Sequence, residues 1–337
     1  MVMVASPSPI RTEKIRDIEL PIIDLLAERS QVSKLLVKAC EEFGFFKLIN
    51  HGIPDDTIEK MEEESFEFFA KPASERQQAG PADPYGYGSK NIGFNGDIGE
   101  VEYLLLRTDT LSISHKSKTI SNDPNKFSFA VIGYIESIRN LACEILDLMA
   151  EGLWVPDTSV FSRLIRDVDS DSLLRLNHYP PFNPKNDGDR SATSFHHQIG
   201  FGEHTDPQIL TILRSNGIEG LQISLEEGVW VPVSPHPTTA FCVNVGDLLQ
   251  AMTNGRFLSV RHRAVVNSYK SRMSMAYFGA PSPRARISCL PNLVETQKPP
   301  LYRSFTWAEF KKATYSQQLK ESRLNLFKMI NDDQNGE

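Results

Sequence analysis

Cysteine is scarce in this 337-residue chain: Cys40, Cys143, Cys242 and Cys289 stand far apart, with no Cys-x-x-Cys pair. That excludes a disulfide framework, and the helical apolar spacing around Cys40 and Cys143 predicts buried, reduced thiols of a cytoplasmic protein. Positive charge is also in deficit, with 36 Lys and Arg against 43 Asp and Glu and a formal net charge of −7. Nucleic acid needs a basic face, so it is not expected as the main partner. No apolar run approaches the roughly 18–20 residues of a membrane span, so no membrane partner is expected either. Met1–Ile10 carries Ser and Pro where a basic segment and an apolar core would mark a secretory leader, and none is expected. The hydrophobic share of 40% and charged share of 23% are those of an ordinary globular protein.

What is present changes in texture near residue 170. Before it, Leu20–Leu25 reads as a short strand, and Val32, Leu35, Leu36, Ala39, Cys40 and Phe43 follow helical spacing up to Gly44. Phe45–Ile49 reads as a strand, and residues 56–71 as a helix. The segment 79–99, with Gly86, Gly88 and Gly93, must be loop or irregular hairpin. Ile135, Ile138, Ala142, Ile145 and Met149 predict a long amphipathic helix over about 127–153. After Ser172, short apolar runs recur between Gly, Asn, Asp and Pro: Leu173–Tyr179, Ile209–Leu213, Gly220–Ile223, Val229–Val233, Ala240–Val245, Ala264–Val266 and Met273–Phe278. Such spacing predicts a β-sandwich or barrel, jelly rolls included. Asn254-Gly255 signals a turn, and Thr306-Trp-Ala-Glu309 a capping box opening a C-terminal helix. The expected organisation is a mainly helical portion over 1–170, a jelly-roll core over 171–300 and a helical segment over 301–337. No flexible linker separates them, so one hydrophobic core is expected.

Of eight histidines, one has an acid two residues later, in His204-Thr205-Asp206. In an extended strand, positions i and i+2 share a face, so both side chains can reach one ion. Downstream, His236 lies between Pro235 and Pro237, which suits a turn; His262 lies in an apolar-flanked run and is the better third ligand. Two histidines and a carboxylate with open positions suit non-haem Fe(II), although zinc can take the same donors. Ten residues on, Arg272-Met-Ser274 repeats the i, i+2 spacing on an apolar strand. An arginine facing a sheet interior needs an anion, and a dicarboxylate co-substrate would provide one, bound by the guanidinium fork. Arg286-x-Ser288 competes for this part but follows a proline-rich segment. Met273 and Met275 are expected on the opposite face, in the core. Tyr103 and Leu105, also i and i+2, are candidate pocket walls; ordinary strand core would show the same spacing.

With these residues in view, the chain resembles the plant 2-oxoglutarate/Fe(II)-dependent dioxygenases. The resemblance is carried in order by Pro21-Ile-Ile-Asp24-Leu25, Gly44-Phe-Phe-Lys-Leu-Ile-Asn-His-Gly52, Asn177-His-Tyr-Pro180, Gly202-Glu-His-Thr-Asp206, Asn244-Val-Gly-Asp247 and Arg272-x-Ser274. Asp83-Pro-Tyr-Gly-Tyr-Gly88, Glu102-Tyr-Leu-Leu105 and Gly200-Phe-Gly-Glu-His-Thr-Asp-Pro-Gln208 look most like gibberellin 2-oxidases, which inactivate nineteen-carbon gibberellins by hydroxylation at carbon 2. The resemblance implies a mixed α and β fold: a double-stranded β-helix, or jelly-roll, core with an N-terminal helical portion packed on it. It assigns iron to His204, Asp206 and His262, and the distal carboxylate of 2-oxoglutarate to Arg272, Ser274 and Tyr179. Dioxygen is then the second co-substrate, and ascorbate the reductant that keeps the iron ferrous. The chain departs from its relatives at Gly99-Glu100-Val101, where they tend to carry Trp, which bears on the pocket entrance near Glu100. Asn183–Gln198, with His196-His197, reads as a mobile surface loop.

The competing expectations are a related plant dioxygenase acting at another gibberellin position or on a flavonoid-type metabolite, and a non-catalytic gibberellin-binding protein that retains the metal.

Overall fold

The computed structural model describes residues 14–91, 97–181, 199–294, 298–319 and 322–329. The leader reading of Met1–Ile10 and the loop reading of Asn183–Gln198 lie outside the described residues.

Two short strands, β1 (Lys14–Ile15) and β2 (Ile22–Asp24), precede α1 (Arg29–Glu42), whose buried stripe includes Val32, Leu36, Val37, Ala39 and Cys40. Gly44 ends that helix at φ +62, its amide returning to the Ala39 carbonyl at 3.0 Å. β3 (Phe45–Ile49) follows at once, then α2 (Asp55–Ala70) and a single turn, α3 (Ala73–Arg76). β4 (Gly86–Asn91) and β5 (Ile98–Arg107) form the irregular hairpin expected of the glycine-rich segment, with a register shift between Ser89 and Asn91. Asp109 caps α4 (Thr110–Ile120); Asp123 caps the long α5 (Pro124–Gly152), which starts on proline; α6 (Ser162–Arg166) closes the helical run.

Strands then dominate: β6 (Leu173–Tyr179), β7 (Ile199–His204), β8 (Leu210–Ser215), β9 (Leu221–Glu226), β10 (Val229–Pro232) and β11 (Phe241–Val245). A short helix, α7 (Asp247–Met252), leads to β12 (Arg261–Val265) and β13 (Arg272–Gly279). A small pair, β14 (Arg286–Ile287) and β15 (Phe305–Thr306), precedes α8 (Trp307–Tyr315), where the Thr306 hydroxyl accepts from the Glu309 amide at 3.2 Å, as the capping box predicts.

One sheet runs β1-β10-β9-β12-β7 and the other β2-β3-β11-β8-β13-β6-β5-β4. Side chains of both line shared cavities, so they face each other as a jelly roll. The N-terminal third does more than pack on this core. Its strands β2 to β5 occupy both ends of the larger sheet, with β3 paired to β11 and β5 to β6. The sequence shows β2 and β3 as strands and the hairpin region as irregular, but their partners lie far along the chain and leave no trace in local periodicity.

Two-residue alternation divides the larger sheet. Leu104, Leu106, Leu174, Leu176, Ile212, Val243, Met273, Met275 and Tyr277 face outward into one core shared with α1, α2 and α5. Cys40 and Cys143 lie in that core, and all four cysteines are unpaired thiols. The residues between them, Tyr103, Leu105, Arg175, Asn177, Tyr179, Arg272, Ser274 and Ala276, face the second sheet. An inner face this polar marks a place for a ligand. Among the described residues no helix is long and apolar enough to cross a membrane.

Gly44 joins the outer core to the site, because it turns the chain from α1 into β3. A Cβ at its positive φ would overlap the Leu258 carbonyl oxygen. Gly44→Ala is expected to lower unfolding free energy by about 2–3 kcal/mol, measured by urea denaturation.

Candidate active site

His204 ends β7 and His262 is the second residue of β12, and the two strands pair them directly. Their ring centroids lie 4.2 Å apart. Each ring is oriented by its own strand: Nδ1 of His204 faces the Gly202 carbonyl at 2.8 Å, and Nδ1 of His262 faces that of Val260 at 3.1 Å. With Nδ1–H donating there, each Nε2 turns a lone pair inward. Asp206 comes two residues beyond the end of β7, so the pairing with His204 arises at a strand terminus and not within a strand. Its Oδ1 lies 3.5 Å from Nε2 of His204 and 3.6 Å from Nε2 of His262. Its Oδ2 accepts from the Thr211 hydroxyl at 2.5 Å and the Asn244 amide at 2.7 Å. One carboxylate oxygen is thereby saturated, and the other is left to complete a three-donor cluster whose atoms all lie within 4.8 Å.

Electrostatics keep Asp206 ionised and His262 neutral. Burial pushes the Asp206 carboxyl up, but the two imidazoles and the Asn244 amide more than offset this and hold it well below the usual carboxylate range. Burial, aided by the neighbouring His204, pulls His262 down to about 4, so its imidazole is neutral at neutral pH. Neutral imidazole and ionised carboxylate are the states a metal requires. Behind the cluster, Asp247 accepts from the hydroxyls of Thr205 at 3.1 Å and Ser259 at 2.7 Å, and its amide donates to the Asp206 carbonyl at 2.7 Å. It ties together the segments that carry all three donors.

Arg272 stands opposite Tyr179 on the neighbouring strand and is 3% exposed. Its Nη1 reaches the Ser274 hydroxyl at 3.4 Å, and the guanidinium lies 5.2 Å from the Tyr179 ring centroid. Among the described residues no carboxylate pairs with it, and Nε donates to nothing. Gly220 makes room for this side chain, since a Cβ there would sit 2.8 Å from Arg272 Cδ. Arg272, Ser274 and Tyr179 share a cavity of about 70 Å³ with His204, Asp206 and His262. A larger cavity of about 260 Å³ opens from the same metal face. Tyr103 and Leu105, the candidate pocket walls, line it together with Leu173, Trp307 and Leu319. Glu100 pairs with Lys90 at 3.5 Å and lines neither cavity.

The alternatives fall elsewhere. His236 sits in the β10–β11 connection, where its carbonyl accepts from the Lys47 ammonium at 2.7 Å. Arg286 is exposed on β14 and donates to the Ser304 hydroxyl at 2.8 Å. Sequence reasoning gave no role to Thr211, Asn244, Asp247 or Arg175. Asn244 and Asp247 are visible as Asn244-Val-Gly-Asp247, and Arg175 stands one alternation before Asn177 in the Asn177-His-Tyr-Pro180 motif.

A jelly roll holding two histidines, one carboxylate and a buried arginine with no carboxylate partner among the described residues in one cavity defines a 2-oxoglutarate/Fe(II)-dependent oxygenase. Residues 170–281 match the 2OG-Fe(II) oxygenase superfamily, and residues 20–122 the N-terminal region of non-haem dioxygenases in morphine synthesis. The chain is 55% identical to gibberellin 2-beta-dioxygenase 4 of Arabidopsis thaliana over 94% of its own length and 97% of that protein's. It is 46% identical to gibberellin 2-beta-dioxygenase 1 of Pisum sativum, over 98% and 99%. The crystal structure of JOX2 in complex with 2-oxoglutarate, iron and JA superposes with a TM-score of 0.80 at 27% identity, covering 97% of this chain and 95% of that one. A rice dioxygenase for auxin oxidation shares the fold, with a TM-score of 0.75 at 24% identity over 92% of this chain and 100% of its own. The chain belongs to the gibberellin 2-beta-dioxygenase family.

The bond from Asn244 to Oδ2 orients Asp206 without touching the metal. Asn244→Ala is expected to weaken Fe(II) binding about 10–100-fold with the fold retained, read by anaerobic calorimetric titration.

Proposed function

We propose that this protein hydroxylates nineteen-carbon gibberellins at carbon 2 and so inactivates the hormone, with Fe(II) held by His204, Asp206 and His262. The distal carboxylate of 2-oxoglutarate is held by Arg272, Ser274 and Tyr179. The similarity to gibberellin 2-beta-dioxygenases supports the substrate and position. The observation that carries the 2-oxoglutarate chemistry is the Arg272 guanidinium, buried without a carboxylate partner among the described residues and facing the same small cavity as the three donors. Burying a cation unpaired is costly, and a dicarboxylate chelating the metal by its other end supplies the missing charge.

When bound, Fe(II) with 2-oxoglutarate and dioxygen supplies the oxidant: one oxygen atom goes to the substrate C–H bond, the other to succinate as carbon dioxide leaves. The residues contribute position. The three donors would hold Fe(II) from one face of the cavity, leaving the side toward Arg272 for the co-substrate. Arg272 and Ser274 set the reach of the 2-oxo acid, and the larger cavity presents the substrate bond to the metal face. Apolar walls at Leu105, Leu173, Phe278 and Leu319 keep water from the reacting centre. Ascorbate serves as reductant for the iron. A cytoplasmic location belongs to this reading and is supported by the four unpaired thiols.

Mass spectrometry of products formed from a gibberellin mixture with Fe(II), 2-oxoglutarate and ascorbate tests the reaction. Hydroxylation at carbon 2 is expected; hydroxylation at carbon 3, or preference for a flavonoid, rejects it. Asp206→Ala should abolish turnover and metal binding, whereas His236→Ala should retain both.

Loss of a charge-assisted pair is worth about 1.5–3 kcal/mol, so Arg272→Ala is expected to raise the KM for 2-oxoglutarate roughly 10–150-fold. Arg272→Lys should fall between, because an ammonium lacks the fork. Initial-rate kinetics at varied 2-oxoglutarate decide this, with Arg286→Ala near wild type.

A further inference from the structure

Arg175 is a second arginine on the inner face of the larger sheet, two residues from Asn177 on β6 and paired with Ala276 of β13. Its Nε donates to the Asn177 side-chain oxygen at 2.8 Å. The guanidinium lies 3.9 Å from the Tyr103 ring centroid and 4.8 Å from that of Phe201. Neither Nη donates to any described residue, and Nη2 is sealed from solvent without a partner. Among the described residues no carboxylate pairs with it. Burial accordingly pulls its pKa below the usual arginine value. Asn177 offers only a neutral oxygen, so the charge is oriented but not neutralised.

The other cations around the cavities are accounted for. Lys311 is tied to Asp171 at 2.6 Å. Arg323 donates to the Thr205 carbonyl at 2.9 Å and feels Asp247, Asp206 and Asp97. Arg272 lines the smaller cavity and not the larger one, whereas Arg175 lines both. An anion on Arg175 would therefore lie at the junction of the metal face and the larger cavity. Around that junction the walls are Leu105, Leu173, Phe201 and Phe278, which suit a rigid apolar skeleton.

We propose that Arg175 anchors the carboxylate of the organic substrate, orienting an apolar monocarboxylic acid in the larger cavity. This rests on the hydroxylation reading above for the identity of that acid. Tyr103 and Phe201 stack on the guanidinium and Asn177 fixes its rotation, so the Nη edge is presented with little freedom left to lose on binding.

The test is calorimetric binding of a nineteen-carbon gibberellin and its methyl ester to enzyme loaded with Mn(II) and 2-oxoglutarate, without dioxygen. Wild type should bind the acid about tenfold or more tighter than the ester, the ester leaving a donor unpaired. Arg175→Met should bind the ester as wild type does and lose the preference for the acid. Arg175→Lys should keep a reduced preference and carries the test should the Met variant fail to fold. Arg107→Met, which removes a charge from the outer end of β5 away from both cavities, should keep the wild-type ratio. An unchanged acid-to-ester ratio in Arg175→Met, no preference in wild type, or loss of ester binding along with acid binding overturns the anchor. Product analysis separates the two readings: an acid preference that depends on Arg175, with oxidation at a carbon other than carbon 2, rejects the hydroxylation site and leaves the anchor standing.

Discussion

Asp206 is the group around which the interior is arranged. A carboxylate buried between two sheets is tolerated only where donors and positive charge reach it. Here Thr211 and Asn244 occupy one oxygen and two imidazoles approach the other. The division of labour between its two oxygens is what makes the cluster a ligand set and not an internal salt bridge. It depends on four separate segments: the end of β7, the start of β12, and the inner faces of β8 and β11. Asp247 fastens the same segments from behind through Thr205 and Ser259. Register errors at β12 would move His262 to the other face of its sheet and leave Asp206 as an uncompensated charge.

The larger sheet separates stability from chemistry by alternation. Its outer residues join the helices in one apolar core, while its inner residues carry arginine, asparagine, serine and tyrosine. Met273 and Met275 belong to the first set, and Arg272 and Ser274 to the second, on consecutive positions of one strand. A fold stabilised from outside can keep a polar interior. That inner face, away from Asp206, carries Arg272 and Arg175, neither with a carboxylate partner among the described residues, an arrangement suited to acids over neutral molecules of similar shape. Electrostatic selection of this kind is strong because the low-dielectric walls do not screen it.

Several features needed no tertiary structure. The His204-x-Asp206 and Arg272-x-Ser274 pairs, the buried Cys40 and Cys143 and the Thr306 cap are visible in local spacing. The helices over 29–42, 55–70 and 124–152 are legible for the same reason: their apolar stripes repeat within a few residues.

What spacing cannot express is which strand lies beside which. That β2 to β5 enter the larger sheet, that His204 meets His262 across a strand pair, and that Asn244 and Thr211 hold one oxygen of Asp206 are consequences of non-local pairing. Arg175 is the sharpest case. In sequence it is one charged residue in an apolar run. Only the packing of Tyr103 and Phe201 around it, with no acid among the described residues to pair with it, makes it a site. The sequence by itself determined the residue types, their alternation and hence the chemistry available. The tertiary structure decided which charges are left without partners, because desolvation and pairing depend on neighbours brought from far along the chain.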